Sequence, residues 1–225
     1  MMKCIRLLLI AIAASISFIL EAKVNVGIEA MPQLSSRLSW NAGVNLEIPV
    51  SDKLYLSSGA FYSSRHRYDE SLWTTYEYTP EGEVPTSYEK ASIDVHGDYI
   101  HIPFLIGYKG YTRPNYTIKV AGGFYYAYLL GGKSKIKMDD NGNVSEMSMP
   151  SFITAINHRS DFGLCMEAKC LLYRHYQIGI NVQHGLRKIY QGFDMPGIHD
   201  PYMNHRLTPG VQFHQSIGLS LGYLF

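Results

Sequence analysis

The chain of 225 residues has three cysteines, a formal charge of +1 and, after residue 22, no apolar run long enough for a membrane helix. Each shortage excludes something. A near-neutral chain without a long basic run removes the electrostatic case for a nucleic-acid partner. Cys4 precedes the first apolar run and is expected to leave with it. Cys165 and Cys170, five apart on one extended segment, point to opposite faces and cannot bridge each other, so no structural disulfide is expected. Mean hydropathy is −0.08. That average argues against a helical membrane bundle, but strands with one apolar and one polar side would average to the same value.

What is present is tyrosine, glycine and alternation. Eighteen Tyr and twenty Gly stand out in the composition. Lys3 and Arg6 precede an apolar run over residues 7–20, followed by Glu21-Ala22, which is the pattern of a secretory signal peptide. The run falls short of the ~20 residues of a spanning helix. We therefore divide the chain into a signal peptide, residues 1–22, cut after Ala22, and one domain, residues 23–225.

Within that domain apolar residues recur at period two, the spacing of strands with two unlike faces. The signal predicts strands over 23–31, 39–50, 54–64, 98–109, 116–130, 160–172, 176–187 and from about 212 to the end. Trp40, Ala42, Val44, Leu46 and Ile48 oppose Asn41, Gly43, Asn45 and Glu47, and the other segments repeat the pattern. Short turns at 51–53, 110–115 and 173–175 alternate with long connections at 65–97, 131–159 and 188–211, while 32–38 is of modest length. Eight alternating segments, joined by short turns at one end and long loops at the other, predict an all-β fold: one up-and-down antiparallel transmembrane β-barrel with long extracellular loops. Both ends of the mature domain then lie on the periplasmic side, in the outer membrane of a Gram-negative envelope.

Parity also predicts the interior. Glu29, Glu47, His101, Lys119, Asp161, Glu167 and Lys169 fall on the inward side, with Tyr55, Phe61, Leu105 and Tyr125 beside them. An eight-stranded barrel has room only for side chains. Unpaired buried charges are costly, so these groups are expected to pair and close the lumen.

The last ten residues, SIGLSLGYLF, set Ile217, Leu219, Leu221, Tyr223 and Phe225 against Ser216, Gly218, Ser220 and Gly222. This segment resembles the C-terminal assembly signal of outer-membrane barrels, which implies that the strand ending in Phe225 is offered to the barrel assembly machinery. The segment DYIHIPFLIGYK at 98–109, the Gly- and Tyr-rich stretch at 121–128 and Asp161-Phe162-Gly163 resemble the PorT-like outer-membrane β-barrel family of Bacteroidetes-type bacteria. The resemblance implies a porin-like barrel and an outer-membrane address. It implies no single activity, since members range from secretion-system components to barrels without an assigned role.

Motifs that would carry chemistry fail on inspection. Gly132-Lys133-Ser134 lacks the earlier glycine of a phosphate loop, Ala127 standing in its place. Asp139, Asn141 and Asn143 imitate a calcium loop, but Val144 replaces its glycine and Pro150 its terminal glutamate. An Asn141-Gly142 turn in a polar loop accounts for the composition better. His199, His205, Asp194 and Asp200 share a long connection without metal-ligand spacing. We assign no metal, no cofactor and no catalytic residue. His214 and Ser216 resemble the His-x-Ser pair of lipid A deacylases, whose site faces lipid, whereas here both share parity with the inward Gly218 and Ser220.

Residues 65–97 carry Arg65, His66, Arg67, Tyr68, Trp73, Tyr76, Tyr78 and Tyr88, types enriched at binding hot spots. They equally suit strands that continue above the membrane into a hairpin turning near Pro80-Glu81-Gly82. The expectation is a non-enzymatic barrel acting in binding, adhesion or envelope assembly, including secretion-associated assembly. Its expected partners are outer-membrane lipids, the assembly machinery and a protein or glycan at the long loops. The alternatives are a lipid A-modifying enzyme and a passive structural barrel.

Overall fold

The computed structural model describes residues 24–140, 143–150, 158–188, 193–196, 203–208 and 213–225. They hold the strands β1 (Asn25–Leu34), β2 (Leu38–Pro49), β3 (Leu54–Thr79), β4 (Gly82–Arg113), β5 (Tyr116–Asp140), β6 (Asn143–Pro150), β7 (Ser160–Leu172), β8 (Tyr176–Gly185), β9 (Phe193–Pro196), β10 (Met203–Thr208) and β11 (Gln215–Leu224), and no helix among the described residues. Eight of them close an antiparallel barrel in the order β1-β2-β3-β4-β5-β7-β8-β11, with β11 returning to β1. Closure leaves no unpaired strand edge inside the bilayer, where an unmet N–H or C=O would cost several kcal/mol.

Alternation decides the faces. Val44, Ile106, Phe124, Met166, Ile180 and Leu219 point out and are exposed, while their sequence neighbours point in and are buried or half-buried. On β4 the outward set from Ile100 to Tyr108 covers nine residues, close to the roughly 9–11 that a tilted strand needs to cross the hydrocarbon. Aromatic side chains ring both ends of this apolar band. Trp40 and Tyr62 meet at 5.3 Å at one end. Tyr111 and Tyr116 (5.8 Å), Tyr176 and Tyr223 (5.5 Å), and Tyr223 and Phe225 (5.3 Å) meet at the other.

At the short-turn end the turns expected at 51–53 and 173–175 are found, while β4 continues through most of the turn expected at 110–115 and ends at Arg113. The β7–β8 hairpin turns through Tyr173 and Arg174, at φ 49° and 66°, with His175 N donating to Leu172 O at 3.0 Å. A two-residue turn of this hand favours Asn-Gly, and each non-glycine residue held there costs about 1–2 kcal/mol.

The opposite end departs from the expected loops. The connection over 65–97 is largely strand, as the hairpin alternative with a turn near Pro80-Glu81-Gly82 has it: β3 runs 26 residues and β4 32, paired to a tip at Thr79 and Gly82. Within 131–159 the structure continues β5 and adds β6, and within 188–211 it adds β9 and β10. The result is a sheet in the order β9-β10-β3-β4-β5-β6 rising from one rim of the barrel. At about 3.3 Å per residue β4 alone spans roughly 100 Å, several times the hydrocarbon thickness. Where β5 leaves the barrel, Asp98 pairs with Gly131 and Tyr99 with Leu129, so Leu130 is left over. This bulge flips the inward parity from Leu129 to Ser134 and Ile136.

The core fills the lumen and neck with Tyr55, Leu105, Tyr125, Tyr99, Leu129 and Ile136. Two tyrosines lie over glycines of the adjoining strand. Tyr55 pairs with Gly107, where a Cβ would fall 2.1 Å from the ring, and Tyr125 pairs with Gly163, where it would fall 2.6 Å away. These glycines make room for rings that lie across the lumen.

Candidate functional site

Near the short-turn end the inward charges pair. Lys119 Nζ donates to Glu47 Oε1 at 2.5 Å, and Gln177 Nε2 donates to the same oxygen at 3.1 Å. Lys169 Nζ sits between Glu29 (2.9 Å) and Glu167 (2.8 Å). Asn45 Nδ2 bridges Glu29 Oε2 and Gln177 Oε1 at 3.3 Å each. These groups come from β1, β2, β5, β7 and β8, so one network ties five of the eight walls together. Lys119 also lies 5.4 Å from the centre of the Tyr55 ring. Six of the seven expected inward groups are therefore in ion pairs: Glu29, Glu47, Glu167, Lys119, Lys169 and Asp161.

Two details differ from expectation. His101 is inward and buried, but neither ring nitrogen has a hydrogen-bond partner among the described residues. It stands among rings instead, 5.2 Å from Tyr125 and 6.2 Å from Phe61. Asp161 pairs with Arg65 at 2.8 Å and accepts from Tyr125 Oη at 2.8 Å. Arg65, which falls in the connection expected over 65–97, is an inward residue of β3 at the neck, with its guanidinium 4.7 Å from the Tyr99 ring centre. Cys165 is inward and accepts from Asn181 Nδ2 at 3.2 Å, while Cys170 stands on the other face.

His214 and Ser216 are both buried and inward, as their parity predicts. They line a cavity of ≈ 690 Å³ at the sheet end of the barrel with Arg67, Asp69, Gln183 and Phe213. A His–Ser nucleophile needs the imidazole on the hydroxyl and a third group on the imidazole. Here Ser216 Oγ donates to Gln33 Oε1 at 3.5 Å, His214 Nε2 has no partner among the described residues, and Asp69 bonds Arg67 at 3.3 Å. Among the described residues, then, no hydrogen bond joins the Ser216 hydroxyl to the His214 imidazole.

Above the apolar band the outward face of the sheet is polar among the described residues. Arg37 pairs with Asp94 at 3.3 Å and packs over Tyr68 at 4.8 Å. His66 and His96 cross at 4.3 Å, and burial together with the neighbouring His96 lowers the His66 pKa. On the outer strands Lys135 and Lys137 flank Glu146 at 3.2 and 3.6 Å. The Lys135 hydrogen bond and charge, with Lys137, hold the Glu146 carboxyl below its ordinary range. The side chains of Trp73, Tyr76, Tyr78 and Tyr88 lie outside the described residues, as do residues 1–22, the Asn141-Gly142 turn, His199 and Asp200, and the side chains of Asp139, Asn143, Val144, Pro150, Asp194 and His205. Gly132-Lys133-Ser134 lies within β5, an extended strand and not a phosphate-cradling loop. Among the described residues no three His, Cys, Asp or Glu side chains gather in a way that could hold a metal ion.

A closed eight-stranded barrel with an apolar exterior between aromatic rings and a charged, filled interior defines a transmembrane β-barrel of the outer-membrane kind. The model of the outer membrane protein beta-barrel domain family matches residues 9–191, and the chain belongs to that family. Its place is the outer membrane. Among solved structures it is similar to Ail, the attachment invasion locus protein of Yersinia pestis, crystallised with the heparin analogue sucrose octasulfate. That match has 9% identity, covers 91% of this chain and 99% of Ail, and has a TM-score of 0.36. It is also similar to the N-terminal β-barrel domain of Pseudomonas aeruginosa OprF, at 10% identity, 91% and 100% coverage and a TM-score of 0.32. No curated protein matches the sequence significantly.

Proposed function

We propose that the protein is a non-enzymatic binding barrel: a sealed membrane anchor that holds a β-sheet outside the cell for a protein or glycan partner. The observation that carries this reading is the continuation of β3, β4 and β5 far beyond the apolar band, with polar groups on the outward face. A barrel built for conduction needs an open lumen, and this one is crossed by ion pairs and tyrosines. In this reading residues 1–22 direct export, the short-turn end and both ends of the mature domain face the periplasm, and β11 with Phe225 is the segment offered to the assembly machinery. The PorT-like resemblance of residues 98–109 belongs to the same reading and admits a secretion-associated partner.

The test is mild crosslinking on intact producing cells, comparing the wild type with a variant in which residues 73–89 are replaced by a two-residue turn. The paired strands below that cut leave the barrel intact. A partner captured by the wild type and lost from the shortened variant supports the reading; identical crosslinked neighbours from both overturn it. For the rival reading as a lipid A-modifying enzyme, Ser216→Ala should leave the mass spectrum of lipid A from producing cells unchanged. Loss of one acyl chain only with intact Ser216 would establish the enzyme instead.

A further inference from the structure

At the short-turn rim the β4–β5 and β7–β8 turns stand side by side, joined by Tyr173 N donating to Asn115 O at 2.8 Å. Between them is a cleft of ≈ 310 Å³ lined by Thr112, Arg113, Pro114, Tyr116, Thr117, Leu171 and Arg174. Two guanidiniums line it and no carboxylate does.

Arg113 has a defined direction. It pairs across the ladder with Tyr116, and Tyr111 pairs with the outward, exposed Ile118, so Arg113 lies on the lipid-facing side of the barrel. Its Nε donates to Tyr111 Oη at 2.5 Å, which fixes the fork and leaves its two terminal nitrogens available. An arginine on that face, at the level of the aromatic ring, meets headgroups before it meets bulk water.

Arg174 is equally telling, because its backbone is strained. Tyr173 and Arg174 occupy left-handed positions that Gly fills without strain and Asn tolerates better than either. A turn that keeps an aromatic and a cation there, against its own backbone preference, has those side chains for a purpose beyond turning. Tyr173 is exposed at the same rim.

We propose that this cleft binds the phosphate of an anionic glycerophospholipid, Arg113 and Arg174 gripping the phosphodiester while the acyl chains run along Ile118 and Ile178. Guanidinium forks suit phosphate oxygens, and the lipid-facing approach of Arg113 selects a membrane lipid over a free anion. That the lipid belongs to the inner leaflet rests on the orientation given under Proposed function; the binding itself does not.

The experiment is native mass spectrometry of the folded barrel released from membranes of equal parts phosphatidylglycerol and phosphatidylethanolamine. The wild type should retain about tenfold more phosphatidylglycerol, and Arg113→Gln/Arg174→Gln should cut the ratio to about twofold. Arg174→Gly relieves the turn, so it should raise the unfolding midpoint and still lose the lipid preference, a combination that misfolding cannot produce. Lys53→Gln, a rim cation outside the cleft, should keep the wild-type ratio. An unchanged ratio in the double variant, or an equal loss in Lys53→Gln, overturns the site. Displacement of the lipid by millimolar inorganic phosphate would make it a free-anion site and overturn the lipid assignment. Orientation fails separately: an impermeant maleimide that labels Asp52→Cys, in the exposed β2–β3 turn of the same rim, on intact cells above the wild-type background would place this rim outside while leaving the lipid ratio untouched.

Discussion

Lys119→Met isolates one ion pair in the lumen. The substitution keeps most of the side-chain volume but leaves the buried Glu47 carboxylate with a single donor, Gln177 Nε2 at 3.1 Å. Removing one partner of a buried pair costs roughly 3–5 kcal/mol, mostly because the other charge stays desolvated. The lost contact with the Tyr55 ring adds about 0.5–1 kcal/mol. For a barrel of this size we take a guanidinium dependence of about 4 kcal/mol per molar, so the unfolding midpoint should fall by about 1 M. The second arm is Lys119→Met/Glu47→Gln, which removes both charges. Because replacing a whole buried pair is often near neutral, this variant should return to within about 0.4 M of the wild type. The assay is denaturant unfolding in detergent, followed by the difference in gel mobility between folded and boiled protein. A single variant within about 0.3 M of the wild type, or a double variant as unstable as the single, would refute the view that Glu47 is held in the lumen by Lys119.

Gly107→Ala should lower the same midpoint by an amount equivalent to about 1–3 kcal/mol, because its methyl meets the Tyr55 ring, whereas Gly131→Ala, with nothing within 4 Å, should be close to neutral. Planar bilayers holding the wild type should show no steady porin-sized conductance at neutral pH, since Tyr55, Phe61, Leu105 and Tyr125 are buried across the lumen; a stable ohmic pore would refute it. Glu146 has a depressed folded pKa, so its contribution to holding β6 on β5 is present above the unfolded carboxylate value and is lost as pH falls through the folded one. Amide protection in β6, corrected for intrinsic exchange, should therefore drop only once the pH falls below the ordinary glutamate range, and Glu146→Gln should remove that dependence.

The barrel was legible because the bilayer writes it into the chain. Residues 160–172 were bounded correctly, and β8 and β11 within a few residues, because lipid outside and polar groups inside force maximal contrast between successive residues. Above the membrane that contrast ends. His66, Tyr68 and Glu70 face outward on β3 where water replaces lipid, so both faces of the strand carry polar residues and the period-two signal vanishes. That is why β3 and β4 read as a loop past residue 64, and why Arg65 was not placed opposite Asp161. Partners were illegible for another reason. Parity put Glu47 and Lys119 on one side, but their pairing depends on which strands face each other across a closed barrel, and 72 residues separate them in the chain. His101 shows the limit of parity alone: it is inward, yet its neighbours are rings rather than carboxylates.

Arg65 shows how the sealed lumen and the projecting sheet depend on each other. It lies on β3 at the level where the barrel gives way to the sheet, and it reaches Asp161 on β7, two strands beyond its own hairpin partner β4. Tyr99 of β4 and Tyr125 of β5 pack against the same guanidinium, at 4.7 and 5.5 Å, and Tyr125 bonds the same carboxylate oxygen. The three strands that carry the sheet upward are thus tied at their base to the wall beside them. A long two-faced hairpin has little apolar area of its own to hold it upright, and without a fixed base it would move freely about the rim. The buried Arg65–Asp161 pair gains little net stability against desolvation, but it fixes geometry, because satisfying both charges requires one arrangement of four strands. The same device that closes the lumen sets the angle at which the sheet leaves the membrane, so conduction is given up where presentation is gained.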